Sequence, residues 1–255
     1  MNSESPEASD FPYLSEDERI EFPDPRKADP RGILCYGANL SPGVLLSAYS
    51  QGVFPWFSEG DPLLWWSPNP RFVLFPREIR VSESMRKVLR KGEYRLTLDA
   101  DFRGVIEACA STPRPGQDGT WITRDMIEGY VRLHELGFAH SVETRKEGVL
   151  VGGLYGVSLG RFFCGESMFS RASNASKAAL IALAWRLADE GFPVIDSQVR
   201  TDHVASMGGR NIPRARYLDL LRQCRDLPGL RGPWNRLLPD FPESEGWRSV
   251  VLRRG

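Results

Sequence analysis

Apolar positions along the chain recur at helical spacing in some stretches and alternate in others. From Leu40 to Gly52, Val44, Leu45, Ala48 and Tyr49 follow a helical rhythm; Ser41 suits the N-cap, Pro42 the first turn and Gly52 the stop. Helices are also predicted over Ser82 to Lys91, Asp101 to Ala110, and Thr123 to Leu136, the last capped by Thr123 with Asp125 in its first turn. Ala139 to Arg145 and Val149 to Leu159 alternate as strands around the turn Lys146-Glu147-Gly148, and Arg161 to Met168 reads as a third strand. Ser173 to Glu190 carries the stripe Ala179, Leu180, Leu183, Ala184 and Leu187 of a packed helix, closed by Gly191. Phe192 to Val199 is a predicted strand, and Thr201 to Gly208 and Arg214 to Cys224 are predicted helices. Strands followed by a helix, a strand and more helices predict an α+β fold.

The stretch VFPWFSEGDPLLWWSPNPRFVLFP is broken by five prolines, so it cannot be one long element. It reads as a rigid loop-and-strand region carrying Trp56, Phe57, Trp65 and Trp66. The expected organisation is a loosely ordered leader over 1–30, a small N-terminal domain over 31–72, a larger domain over 73–238, and a tail over 239–255.

Length and composition suit a globular protein with a sizeable core: 255 residues with 33 basic and 33 acidic side chains, for zero formal net charge. The balance argues against a protein dominated by nucleic-acid electrostatics but leaves room for a local basic patch. The start MNSESPEASD has neither the basic nor the apolar region of a signal peptide, and no apolar run approaches a membrane span. The expectation is a cytoplasmic protein away from membranes. The four cysteines are scattered and only three histidines exist, so no metal-ligand spacing appears and no cofactor is expected.

No P-loop and no G-x-S-x-G elbow is present. The glycines of GGLYGVSLG, at 152–160, sit in a strand pattern and predict close backbone approach. Asp196 and Gln198 lie two apart on the predicted strand, so both would project from one face. They are either structural hydrogen-bonding groups or a site. Glu166 stands among Phe162, Phe163, Met168 and Phe169, where an acid needs a partner, and a cationic ligand is one candidate. Trp56, Trp66 and Trp121 are either packing residues or platforms for a base. Arg86, Lys87, Arg90 and Lys91 form a cationic stripe with Arg77, Arg80 and Arg95 nearby; it is either a solvated face or a contact for nucleic-acid phosphates.

The phrases YGANLSP, GVFPWFSEGDPLLWWSPNPR, GTWIT, GYVRLHELGFAHSVE, LVGGLYGVSLG, FCGESMFS, NASKAAL, IDSQV and HVASMGGRNIPR run in order through residues 33–222. In them the chain resembles the bacterial leucyl/phenylalanyl-tRNA–protein transferases. The resemblance implies a small N-terminal domain followed by a GCN5-related N-acetyltransferase-like domain, whose half-split sheet the element order fits. It implies an aminoacyltransferase that moves Leu, Phe and less readily Met from aminoacyl-tRNA to proteins beginning with Arg or Lys, creating an N-degron. By position, Asp196 and Gln198 match the proposed catalytic pair, and Trp56 and Trp121 match aromatics that hold the terminal adenosine. Glu166 and Met168 match residues around the aminoacyl group. Leu154, Leu183 and Leu187, with Met168, would form its apolar pocket, and the cationic stripe Arg86, Lys87, Arg90 and Lys91 would contact tRNA. The chain is expected to act as a monomer. Departures are Ser197, where relatives often carry Cys, and Leu154, Leu183 and Leu187, which are Met or Phe in some relatives.

An aminoacyl ester is already activated, so the enzyme must chiefly align an amine and manage one proton. The amide of Gln198 is no ordinary base; its oxygen can accept a hydrogen bond from the amine while Asp196 either fixes its orientation or anchors the cationic acceptor. An acyl-CoA-dependent N-acyltransferase and a non-catalytic tRNA- or degron-binding protein are the alternatives. The first should carry a pyrophosphate loop of the type R/Q-x-x-G-x-G/A, which is absent after any predicted strand.

Overall fold

The alternating stretches pair into two sheets, and the helices cover both faces of the larger one. The computed structural model describes residues 11–113 and 120–238. Residues 1–10 of the expected leader, the whole tail 239–255 and Gly119 lie outside the described residues. The chain runs through β1 (Ile33–Tyr36), α1 (Pro42–Ser50), β2 (Phe54–Pro55) and β3 (Leu64–Trp66), whose strands form an antiparallel sheet of order β1-β3-β2. It then enters the second sheet through β4 (Arg71–Leu74) and continues with α2 (Glu83–Lys91), β5 (Arg95–Leu98), α3 (Phe102–Ser111) and α4 (Arg124–Glu135). Three long strands follow, β6 (Ala139–Lys146), β7 (Val149–Leu159) and β8 (Phe162–Ser170), then α5 (Ala175–Asp189) and β9 (Ile195–Asp196). The last elements are α6 (Asp202–Ser206), β10 (Arg210–Ile212), α7 (Arg214–Arg225) and α8 (Trp234–Leu237). Among the described residues, no helix is long and apolar enough to cross a membrane.

The second sheet has the order β10-β4-β9-β8-β7-β6-β5. Every pairing is antiparallel except β8 with β9, which α5 connects as a crossover. One core, containing Val44, Tyr49, Val105, Tyr130, Tyr155 and Tyr217, lies on the face covered by α1, α3, α4 and α7. The other, containing Leu89, Leu154, Leu183, Leu187 and Trp234, lies under α2 and α5. The expected α+β architecture is what forms.

The caps of α2, α3 and α4 follow the local signals: Ser82, Asp101 and Thr123 accept from the backbone N–H of Met85, Gly104 and Met126. Ser41 departs from its expected role. It makes no cap bond, because its hydroxyl accepts instead from the Leu14 N–H at 3.1 Å. That bond also corrects the loosely ordered leader. From Leu14 to Phe22 the chain is pinned along α1: Ile20 N–H donates to Ser47 Oγ at 3.0 Å, Phe22 N–H donates to Gln51 Oε1 at 3.0 Å, and the Phe22 ring packs edge-on to Trp65. Polar groups on an otherwise buried helix need partners, and the leader supplies them.

The predicted strand over Phe192 to Val199 shrinks to Ile195–Asp196. Phe163 and Cys164 of β8 pair with Ile195 and Asp196; beyond them β8 continues on β7, while Ser197 and Gln198 exchange backbone bonds with Phe72 of β4. The sheet therefore splits between β8 and β9 at the carboxyl ends of its parallel pair, where open sheets place ligands. The glycines of β7 permit the packing around this point. A Cβ at Gly152 would meet the Ala175 Cβ at 2.6 Å, and one at Gly156 would overlap the Cys164 carbonyl and the Phe163 ring. Gly156→Ala is expected to force β7 from β8 and cost roughly 1–3 kcal/mol, seen as a lower midpoint in urea unfolding.

Candidate active site

The split is anchored by an ion pair buried beneath it. Arg71 opens β4 and Asp196 ends β9, and their side chains are 1% and 0% exposed. Arg71 Nε donates to Asp196 Oδ1 at 2.8 Å and Nη2 to Oδ2 at 2.6 Å. The Tyr217 hydroxyl, from α7, donates to Oδ2 at 2.9 Å and accepts from Arg71 Nη2 at 3.0 Å. The guanidinium also lies over the rings of Phe54 and Tyr217, at 4.7 and 4.3 Å from their centroids. Burial by itself would lower the Arg71 pKa, but the Asp196 charge and its hydrogen bonds overcome this and raise it.

Asp196 Oδ1 accepts a further bond, from the backbone N–H of Gln198 at 2.9 Å. Four donor contacts thus fill the roughly four lone-pair directions of a carboxylate. A sealed, saturated Asp196 has nothing left for an incoming cation, which removes the reading in which it anchors the acceptor directly. The Gln198 backbone sits in the left-handed region at φ 52°, off the strand, so the expected shared strand face with Asp196 does not exist. A non-glycine residue held there stores strain of order 1–3 kcal/mol, and the Asp196 bond and the Phe72 N–H bond to Gln198 O at 3.1 Å hold it. The consequence is that the Gln198 side chain turns toward β8, where its Nε2 donates to Glu166 Oε1 at 3.0 Å.

Glu166 reaches that position through a bulge. Gly165 pairs with Gly156 and Ser167 with Tyr155, leaving Glu166 as the extra residue. Its Oε2 accepts from the Tyr130 hydroxyl of α4 at 3.0 Å, and the Tyr130 hydroxyl is hydrogen-bonded in turn to that of Tyr49 on α1. Burial pushes the Glu166 carboxyl up to about 7, against the lowering effect of the tyrosine hydroxyls. Burial likewise raises both phenols well above their ordinary value, so they stay neutral donors.

The same bulge separates Glu166 from Met168. Strict alternation would put them on one face, but Glu166 bonds into the core of α1 and α4, while Met168 stands opposite Leu154 and packs on the α5 core. Leu154, Leu183 and Leu187 do gather in that core, yet they are 3%, 1% and 0% exposed. They are the sealed floor behind Met168 and not an open pocket wall; Met168 itself is half-buried at the rim.

Trp56 and Trp121 are both half-buried against the α1–α4 core. Trp56 packs on Trp66 at 5.2 Å between centroids, and its carbonyl accepts from Trp66 Nε1 at 2.6 Å. Of the cationic stripe on α2, Lys87, Arg90 and Lys91 are exposed and Arg86 half-buried, with Met85 and Leu89 turned into the core. Arg90 is paired with Glu83 on its own helix at 2.5 Å. The periodicities singled out neither Arg71, Tyr217 nor Tyr130, and placed Tyr49 only on the apolar stripe of a helix. Arg71 carried a usable signal, a lone charge ahead of the apolar run FVLF. The tyrosines fall on apolar helix stripes and read as core.

Comparison with known proteins agrees along most of the chain. The family model described as leucyl/phenylalanyl-tRNA protein transferase matches residues 73–222, and the model of that family's N-terminal domain matches 38–69. The leucyl/phenylalanyl-tRNA–protein transferase of Myxococcus xanthus is 53% identical over 223 residues, covering 87% of this chain and 95% of that protein. The transferase of the same name from Syntrophus aciditrophicus is 56% identical over 216 residues, covering 85% and 90%. A solved GCN5-related N-acetyltransferase from Kribbella flavida overlaps 67% of this chain and 61% of its own at 11% identity, but its TM-score of 0.31 is too low to argue from. Matched by both family models and about half identical to these relatives over nearly their full length, the chain belongs to the leucyl/phenylalanyl-tRNA–protein transferase family and is an aminoacyltransferase.

Proposed function

We propose that this protein takes Leu, Phe and to a lesser extent Met from aminoacyl-tRNA and joins them to proteins beginning with Arg or Lys, so marking those proteins for degradation, and that it acts as a cytoplasmic monomer. Family membership supports the donor class. The observation that carries the reading of the site is the Gln198–Glu166 bond across the open split. With Nε2 donating to Glu166, Gln198 has its amide oxygen to offer an amine. Asp196 contributes by fixing the Gln198 backbone through its N–H, with Arg71 and Tyr217 holding Asp196 in turn. Alignment of amine and ester alone is worth roughly 7–11 kcal/mol in favourable cases.

In this reading the aminoacyl side chain enters at Met168, over Leu154, with Leu183 and Leu187 as backing. A methionine rim is adaptable, and one methylene in such a site discriminates by only about 1–3 kcal/mol, which fits a choice among Leu, Phe and Met. Trp56 and Trp121 flank the terminal adenosine, where stacking is worth roughly 1–3 kcal/mol per base. The α2 stripe of Arg86, Lys87, Arg90 and Lys91 meets tRNA phosphates.

Labelled Phe-tRNA mixed with a peptide beginning with Arg is expected to yield the Phe-extended peptide, and Gln198→Ala to slow its single-turnover formation; absence of product with the wild-type protein would refute the assignment. Binding of tRNA should weaken with salt, and Lys87→Ala and Lys91→Ala should each flatten log Kd against log salt concentration by about 1. A salt-independent Kd would remove the stripe from the interface. Asp196→Asn strands a buried guanidinium and is expected to cost about 3–5 kcal/mol in urea unfolding. Replacing the pair together, Arg71→Met with Asp196→Leu, should cost less while transfer stays lost, because Gln198 loses its anchor in both.

A further inference from the structure

Amide formation from an ester and an amine has to move a proton, and the polar groups at the split differ in their capacity to carry it. Gln198 is an amide and binds no proton near neutrality. Asp196 is sealed, with its oxygens occupied by Arg71, Tyr217 and the Gln198 N–H. Tyr49 and Tyr130 are fully buried phenols whose ionisation burial opposes. Glu166 is half-buried and touches Gln198, the residue that meets the amine in the proposed reaction.

We propose that Glu166 is the proton carrier of the transfer, taking a proton from the attacking α-amine and delivering it to the departing ribose oxygen. The proposal rests on the transfer reaction proposed above. The amine lone pair forms the C–N bond as the carbonyl π pair moves onto oxygen, and one N–H proton passes to the Glu166 carboxylate. Collapse restores the carbonyl and breaks the ester C–O bond. The proton held on Glu166 goes to the ribose oxygen, leaving an amide, a free ribose hydroxyl and a regenerated carboxylate.

The surroundings of Glu166 suit a group that changes state twice per cycle. When it is ionised, Tyr130 donates to Oε2 and Gln198 Nε2 to Oε1. When it is protonated on Oε2, the carboxyl can donate to the Tyr130 oxygen, because Tyr130 and Tyr49 share a hydrogen bond in which either can be the donor. The two hydroxyls reverse together, so Glu166 Oε2 keeps its Tyr130 partner in either state. A carboxyl raised to about 7 also divides between both forms at neutral pH, the condition for efficient general acid–base work. Every element around it sets this balance. Tyr49 of α1 and Tyr130 of α4 lower the pKa, the Asp196 charge of β9 raises it and Arg71 of β4 lowers it; the neighbouring Cys164 of β8 is kept a neutral thiol by burial.

The test is single-turnover transfer of Phe from Phe-tRNA to peptides beginning with Arg, from pH 5.5 to 9. Two peptides whose α-amines differ in pKa by about one unit are used, around the ordinary value near ~8. The amine inflection should follow the peptide. A second inflection near about 7 should stay with the enzyme, the rate rising as Glu166 ionises. Glu166→Gln should abolish that inflection and slow transfer by about 10²–10⁴-fold, with the Kd for Phe-tRNA and for peptide within a few-fold of wild type. Tyr130→Phe removes a donor to the carboxylate and should move the enzyme inflection to higher pH, which a merely structural tyrosine would not do. Glu166→Asp should retain an inflection at reduced rate. An inflection near 7 that survives in Glu166→Gln, or a loss of rate traced wholly to weaker binding, would overturn the proposal. So would an inflection that Tyr130→Phe leaves in place. A wild-type protein that transfers nothing to the Arg peptide would instead refute the reaction itself.

Discussion

The buried bond between Arg71 and Asp196 is the constraint on which the arrangement depends. It ties β4 to β9 and, through Tyr217 and the Gly52 carbonyl, ties both to α7 and to the end of α1. Removing two charges from water costs several kcal/mol per ion, so such a pair is poor evidence for stability as such. A pair of apolar side chains would fill the volume at lower cost. What apolar side chains cannot do is offer an acceptor to the Gln198 N–H in a left-handed turn. The pair holds the Gln198 turn in place, with its desolvation offset by bidentate geometry and two aromatic faces.

Asp196 and Glu166 lie on neighbouring strands and have opposite surroundings. Asp196 is held by a cation and filled with donors. Glu166 has no cation bonded to it, only two neutral donors, of which the Tyr130 hydroxyl can reverse, and burial pushes it toward the proton. Two carboxyls with environments this different take different roles. The sign of the linkage follows. In the native protein Glu166 holds its proton above the pH at which the unfolded chain releases it. Stability therefore falls as pH rises from the ordinary carboxyl value of 4.5 toward about 7, and is flat beyond. The site is carried at the expense of stability, as functional sites often are.

Local rules made much of the frame legible. Caps such as Ser82, Asp101 and Thr123 work because donor and acceptor are three residues apart, and β6 and β7 pair as neighbours around the short turn Lys146-Glu147-Gly148. What failed was non-local. Ser41 looked like a cap and was claimed by Leu14, 27 residues away. The stretch around Asp196 looked like a full strand because Val194 and Ile195 are apolar, but β9 ends where Gln198 turns left-handed. Asp196 and Glu166 were visible as acids among apolar residues; their partners Arg71, Tyr217 and Tyr130 lie 125, 21 and 36 residues distant, and spacing carries no such information. The resemblance to a family singled out Asp196, Gln198 and Glu166 together, but it did not reach these partners either.

Two irregularities make the site, and each needs the other. Without the bulge at Glu166, alternation would put Glu166 and Met168 on the same face of β8, and the acid would stand against the apolar α5 core. Without the turn at Gln198, β9 would run on beside β8 and close the sheet. Together they open the split and divide it: Met168 faces the α5 core on one side, and Glu166 with Gln198 faces the tyrosines of α1 and α4 on the other. The two faces of the sheet thus differ in chemistry, with an apolar rim at Met168 on one and the polar pair Glu166 and Gln198 on the other.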